Sequence, residues 1–120
     1  MQNMAEQIQE GDEERLEHCC GIAVADASCA LARALDARRN GSLDNSTKAA
    51  AVDQLVRLQK LFMRVQSAGY SLEQIGSMAR LRGRHVLRDR LGTEHRDELL
   101  QEVVAWPIEL VTRAIIDTIP

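Results

Sequence analysis

Apolar residues recur every three or four positions along most of this chain, the spacing that puts them on one face of an α-helix. The period is clear over residues 12–39, 46–69 and 93–119, and a shorter, interrupted version covers 71–91. Alternating runs typical of β-strands are absent from the sequence. The pattern predicts an all-α fold, a single compact domain of four to five helices over residues 13–120. A flexible acidic tail is expected over residues 1–12, either solvated or screening a basic part of the chain.

Polar residues and glycines mark where these helices begin and end. Gly41 follows the first pattern and can adopt the left-handed conformation that stops a helix. Ser46 or Thr47 is placed to cap the second helix. Ser71 and Gln74 have the spacing of a capping box, in which each side chain bonds the backbone N–H of the other. These signals predict short connections between antiparallel helices.

The stretch from Ser71 to Leu91 allows two interpretations. Its apolar pattern is interrupted around Gly83, which predicts a short helix, a tight turn near residues 79–82 and a second short helix. That is the outline of a helix-turn-helix, in which the second helix enters the DNA major groove. The alternative is one continuous helix that tolerates Gly83 at a cost of about 1 kcal/mol. Arg80, Arg84 and Arg88 would then form a single stripe.

Charge is segregated along the chain. Residues 80–90 hold five arginines against one aspartate, a formal charge of +4, whereas the whole chain carries −3, so the remainder sums to −7. A basic surface of this kind is typical of binding to an anionic partner. Arginine is also the usual bidentate reader of guanine and a common phosphate ligand. The predicted base contacts are Arg82, Arg84 and His85, and the predicted phosphate contacts are Arg80, Arg88 and Arg90.

Two functions from different classes follow from this basic run. The first is a small DNA-binding transcriptional regulator that uses residues 70–91 and acts as a dimer. The alternative is a non-enzymatic helical adaptor or inhibitor that binds an acidic protein surface through the arginine stripe, since arginine is enriched in interface hot spots. No phosphate-binding glycine loop and no nucleophile–base arrangement is readable, so the chain is not expected to be an enzyme.

The C-terminal segment is predicted to be a helix capped by Thr93 and kinked or divided at Pro107. Glu109, Arg113 and Asp117 form one charged stripe along it, and the rest of the segment beyond Val103 is almost wholly apolar, more than a small monomer easily covers. A homodimer is therefore expected. Its predicted interface consists of Val103, Trp106, Leu110, Val111, Ile115 and Ile119.

The composition predicts that disulfides, metal sites and membrane segments are absent. The chain has 120 residues and only three aromatic side chains. Cys19, Cys20 and Cys29 are an odd number within one helical pattern, and no metal-ligand spacing accompanies them. We expect free thiols and neither a metal nor a cofactor. No run of about 20 uninterrupted apolar residues is present, so a cytoplasmic protein without a membrane segment is predicted.

Overall fold

Four helices make up the described part of the fold. The computed structural model describes residues 10–91 and 97–118, and the side chains of 14–91 and 98–117. The helices are α1 (Glu10–Arg39), α2 (Asn45–Ser67), α3 (Leu72–Leu91) and α4 (Asp97–Thr118). The prediction of an all-α single domain is confirmed. Because α1 begins at Glu10, the last residues assigned to the acidic tail are helical, and residues 1–9 lie outside the described part.

The helices pack around α1, which contacts all three others and lies most extensively against α3. α1 and α3 run parallel, because ion pairs join Glu17 to Arg82 and Asp26 to Arg90 in the same order along both helices. The Cα atoms extend 54 × 37 × 20 Å, and the shortest dimension accommodates about two layers of helices. The fold is therefore a thin slab.

One hydrophobic core lies between the helices. Its larger members come from all four, so no helix is peripheral. They include Cys20 and Val24 of α1, Leu58, Phe62 and Val65 of α2, Ile75 and Leu87 of α3, and Leu100, Val104, Ile108, Val111 and Ile115 of α4.

The connection from α1 to α2 has the predicted glycine stop and a different cap. Gly41 has φ +68°, and the N–H of Ser42 donates to Ala37 O at 2.7 Å, a bond that closes the last turn of α1. The cap of α2 is Asp44, whose carboxylate accepts a 2.7 Å hydrogen bond from Thr47 N. The prediction of Ser46 or Thr47 as cap was wrong, since an aspartate two residues earlier was equally suited to the role.

The connection from α2 to α3 confirms the predicted capping box. Gln74 N donates to Ser71 Oγ at 3.1 Å, and Ser71 N donates to Gln74 Oε1 at 2.9 Å. Gly69 precedes it with φ +107°, a conformation that favours glycine. Gly69, Ser71 and Gln74 thus determine how the chain reverses direction between α2 and α3.

α3 is one continuous helix, so the second of the two interpretations is confirmed and the turn near residues 79–82 is wrong. Gly83 sits mid-helix where α3 approaches α1: a Cβ atom there would lie 2.9 Å from Val24 Cγ1. At the same crossing, a Cβ atom on Gly21 would lie 2.5 Å from Arg82 Cβ. The interruption in the apolar pattern therefore marks close helix packing, and α3 has no separate recognition helix.

α4 is also undivided and runs antiparallel to α3. Val104 lies beside Gly83 and Ile108 beside Gly76, in reverse order along the two helices. Pro107 is buried inside α4, and the helix continues through it, so of the two predicted effects, a kink or a division, the division is wrong. The missing N–H of a proline leaves one carbonyl of the preceding turn without its usual donor, a cost that burial of the ring can offset.

α1 is the one described helix that meets the length and apolarity of a membrane span, over Glu14–Arg39. The core helices of soluble proteins meet the same two criteria. Cys20, Val24 and Ala27 of this helix are in the hydrophobic core. The absence of a membrane segment stays a prediction.

Candidate functional site

The arginines of α3 divide between two sides of the helix. Arg82 and Arg90 lie toward α1, where Arg82 Nε donates to Glu17 Oε2 at 3.3 Å and Arg90 Nη1 to Asp26 Oδ1 at 2.6 Å. The hydrogen bond with Asp26 raises the pKa of Arg90, and partial burial opposes that rise. Both guanidinium groups are thus neutralised within the chain.

Arg80 and Arg84 lie on the other side, one helical turn apart, in a groove between α3 and α4. The groove has a volume of about 520 Å³. Neither arginine makes an ion pair with the side chains that the structure describes. The other residues that line the groove are Ser77 and Leu81 of α3 and Gln101, Val104, Ala105 and Glu109 of α4.

The Nε atom of Arg84 is buried and has no hydrogen-bond acceptor within the described residues. A buried donor left in this state costs about 1–3 kcal/mol, and more when the group is charged. The rest of the side chain is only half-buried, so the guanidinium can reach a ligand in the groove. An acceptor from outside the chain would remove this cost.

A second groove of about 310 Å³ continues along α4 and shares Arg80 and Glu109 with the first. It adds Arg113 to the lining, so the two grooves together hold three arginines and one glutamate, a formal charge of +2. The flanking side chains of Leu81 and Ile116 are 50% and 53% exposed. We name this surface, from Ser77 to Ile116, the arginine groove.

The remaining residues of the predicted DNA surface are placed differently from one another. His85 is exposed and lies away from the core. Arg88 is half-buried and has an interaction partner within the chain. The six predicted contacts therefore do not form one surface, whereas Arg80 and Arg84 line a common groove.

The residues of the predicted dimer interface lie on two different faces of α4. Trp106 and Leu110 are 41% and 48% exposed, and Val103 is half-buried. Val111 and Ile115 are only 2% exposed in the core of the chain, so they are not available to a second subunit. The error arises because α4 is apolar on two neighbouring faces, and the pattern alone does not say which one faces the core. Ile119 lies outside the described residues.

Sequence reasoning missed the α4 side of the arginine groove. Glu109 and Arg113 were recognised only as a charged stripe, and Ile116 was not singled out. Their spacing from Gln101 through Glu109 to Ile116 places them on one flank of α4, so helical periodicity could have grouped them. It could not have paired that flank with Arg80 and Arg84, since this pairing depends on how α4 docks.

Within the described residues, no group of three or more histidine, cysteine, aspartate or glutamate side chains is placed to hold a metal ion. The three cysteines are unpaired thiols. Burial, followed by the nearby Cys19 and Glu17, raises the pKa of the Cys20 thiol to about 11, so this group is unreactive at neutral pH. The chain was compared with protein-family models, curated protein sequences and solved structures, and no match was found in any of the three.

Proposed function

We propose that this protein is a non-enzymatic helical adaptor that binds an acidic segment of another protein in the arginine groove. The observation that carries the proposal is the buried, unpartnered Nε of Arg84 beside Arg80. A carboxylate, like a phosphate, is a ligand that guanidinium groups bind in paired hydrogen bonds. The arginine stripe of the continuous-helix interpretation thus becomes a ligand site on α3 and α4.

The chemistry of the groove favours a peptide that combines acidic and apolar side chains. Arg80 and Arg84 are four residues apart, so their side chains match two carboxylates separated by one turn of a partner helix. Leu81 and Ile116 flank the arginines with half-exposed apolar surface, which can cover the apolar side chains of a peptide. Glu109 in the same lining limits how much negative charge the groove accepts.

The same features favour a protein partner over DNA. α3 is one helix, so it offers no short recognition helix that projects its first turn into the major groove. Arg82 and Arg90 already pair with carboxylates of α1, which lowers the positive charge available to phosphates. DNA binding is therefore the competing outcome of the experiment.

The experiment measures binding of a labelled helical peptide with glutamates four residues apart and leucines between them, by fluorescence anisotropy at about 50 mM salt. The test variant is Arg80→Gln/Arg84→Gln. The control is Arg38→Gln/Arg64→Gln, which removes the same charge from exposed positions outside the groove. We expect the test variant to lose at least about tenfold in affinity, because each charged hydrogen bond contributes about 1.5–3 kcal/mol. The control should keep the affinity of the wild type.

Two results would overturn the proposal. One is that the wild type does not bind the peptide, or binds it equally in the test and control variants. The other is tighter binding to mixed duplex DNA, with a salt dependence that becomes shallower in the test variant. That second result would assign the same arginines to phosphate contacts.

A further inference from the structure

α4 carries an exposed apolar seam on the flank opposite the arginine groove. Leu99, Trp106 and Leu110 are 48%, 41% and 48% exposed, and half-buried Val103 lies between them. Their successive spacings of four, three and four residues keep them in one line along the helix. This is the spacing of the contact line between two paired helices in a coiled coil.

Grooves border the seam on both sides. One, of about 600 Å³, lies between α1, α3 and α4 and has Leu99, Val103 and Trp106 in its walls. The other, of about 160 Å³, lies between α2 and α4 and places Leu110 beside Val52 and Val56. Val52 and Val56 are themselves 52% and 40% exposed, so the apolar surface extends across two helices. We name this surface, with its two grooves, the apolar face.

The rim of the larger groove carries charges of both signs. Arg33 and Arg39 stand on α1 with Asp36, and Glu102 stands on α4. A twofold axis brings the same patch of two subunits together, so a self-complementary patch needs an apolar centre and opposite charges on its rim. A partner of one charge sign would meet like charges at some of these positions. The rim therefore favours a second copy of this chain.

The accessible surface is large enough for such a contact. The chain exposes 8166 Å², whereas a compact monomer of 13.4 kDa is expected to expose about 6,500 Å². The excess is about 1,700 Å². A standard interface needs only about 800 Å² from each partner.

We propose that the apolar face is the twofold interface of a homodimer. α4 packs against the partner subunit's α4 along the Leu99–Leu110 seam, and Trp106 of each subunit occupies the larger groove of the other. Arg33 or Arg39 of one subunit then lies near Glu102 of the partner subunit. The arginine groove is on the opposite flank of α4 and stays open, so each dimer presents two of them.

Sedimentation equilibrium of the full chain tests this interface. The test variant is Trp106→Ala/Leu110→Ser, and the control is Leu81→Ser/Ile116→Ser, which removes similarly exposed apolar side chains from the arginine groove. At about 100 µM, well above a micromolar dissociation constant, we expect twice 13.4 kDa for the wild type and the control. The test variant should sediment as 13.4 kDa with unchanged helix content by circular dichroism.

A monomeric wild type at that concentration overturns the proposal, and so does a test variant that remains a dimer. If the test variant loses its helices, the single substitution Glu102→Arg tests the interface instead, because it places an arginine near Arg33 or Arg39 across the twofold contact. Its dimer dissociation constant should rise at least tenfold, and an unchanged value refutes the interface. None of these variants removes Arg80 or Arg84, so failure here is separate from failure of the proposed peptide binding.

Discussion

Replacing single glycines by alanine where the helices cross should distinguish two effects on stability, the cost of crowding between helices and the gain from the higher helix propensity of alanine. Alanine stabilises a helix relative to glycine by about 0.8–1 kcal/mol when space is available. Gly76 has that space, since a Cβ atom there would meet only Ile108 Cγ2 at 3.8 Å. Gly21 does not, because its Cβ atom would lie 2.5 Å from Arg82 Cβ and 2.8 Å from Arg82 C. The two substitutions should therefore have opposite signs.

The magnitudes follow from which atoms would have to move. At Gly21 the obstacle includes the backbone of α3, so the helices must separate, and overpacking of this kind costs about 1–3 kcal/mol or more. Because a backbone obstacle puts the cost in the upper part of that range, about 2–3 kcal/mol, subtracting a gain of about 1 kcal/mol in helix preference leaves Gly21→Ala less stable by about 1–2 kcal/mol. At Gly83 the nearest atom is Val24 Cγ1 at 2.9 Å. Val24 is fully buried and its branched side chain has little rotamer freedom in a helix, so Gly83→Ala should be less stable by about 1 kcal/mol.

Urea unfolding followed by circular dichroism measures all three variants against the wild type. Gly76→Ala should unfold at a higher urea midpoint, and Gly83→Ala and Gly21→Ala at progressively lower ones, with a common slope. The reasoning fails if Gly21→Ala is as stable as Gly76→Ala, because α1 and α3 would then not be in close contact. It also fails if Gly83→Ala stabilises the protein as much as Gly76→Ala does.

Other predictions concern a cap, a thiol and an ion pair. Asp44→Ala should lower the melting temperature at neutral pH, because the hydrogen bond from Thr47 N lowers the pKa of Asp44 and ties its ionised form to the folded state. The ionised Asp44 contributes its full stabilisation of the folded state above the ordinary carboxyl pKa, and this stabilisation is lost as pH falls through the lowered pKa. The melting temperatures of the variant and the wild type should therefore converge in acid. With iodoacetamide at pH 8, exposed Cys19 should be alkylated well before Cys20 by mass spectrometry, since a pKa of about 11 leaves Cys20 about 0.1% ionised. A double-mutant cycle of Arg90→Gln and Asp26→Asn should give a coupling energy of about 0.2–1 kcal/mol, since both side chains are about two-fifths exposed, and a value above 2 kcal/mol would contradict this surface assignment.

The features that were predicted best from the sequence are those that depend on residues close together along the chain. The helix stop at Gly41 and the capping box of Ser71 and Gln74 each involve atoms within a few residues, and both are present. The number of helices follows from such punctuation. Gly83 left two interpretations open because a glycine in a helical pattern can mark a turn or a close approach of another helix. Only the position of Val24, nearly sixty residues earlier in the chain, distinguishes the two.

The candidate site was less accessible to sequence reasoning for a related reason. A run of arginines shows how much positive charge is present, but not which charges another helix neutralises. Arg82 and Arg90 pair with Glu17 and Asp26, residues that the sequence places more than sixty positions away. The helical period does show that Arg80 and Arg84 share a side of α3. Their availability to a ligand follows only from the docking of α1.

The glycine crossing and the arginine groove are therefore linked through the rotation of α3. Gly21 and Gly83 let the backbones of α1 and α3 approach, and that contact directs Arg82 toward Glu17. With that side of α3 fixed on α1, Arg84 must lie on the α4 side, where its Nε is buried without an acceptor. A larger residue at Gly21 should then weaken the Arg82–Glu17 pair and also change the orientation of Arg84. Gly21→Ala should consequently lower peptide affinity even though it lies outside the groove, whereas Gly76→Ala should leave it unchanged.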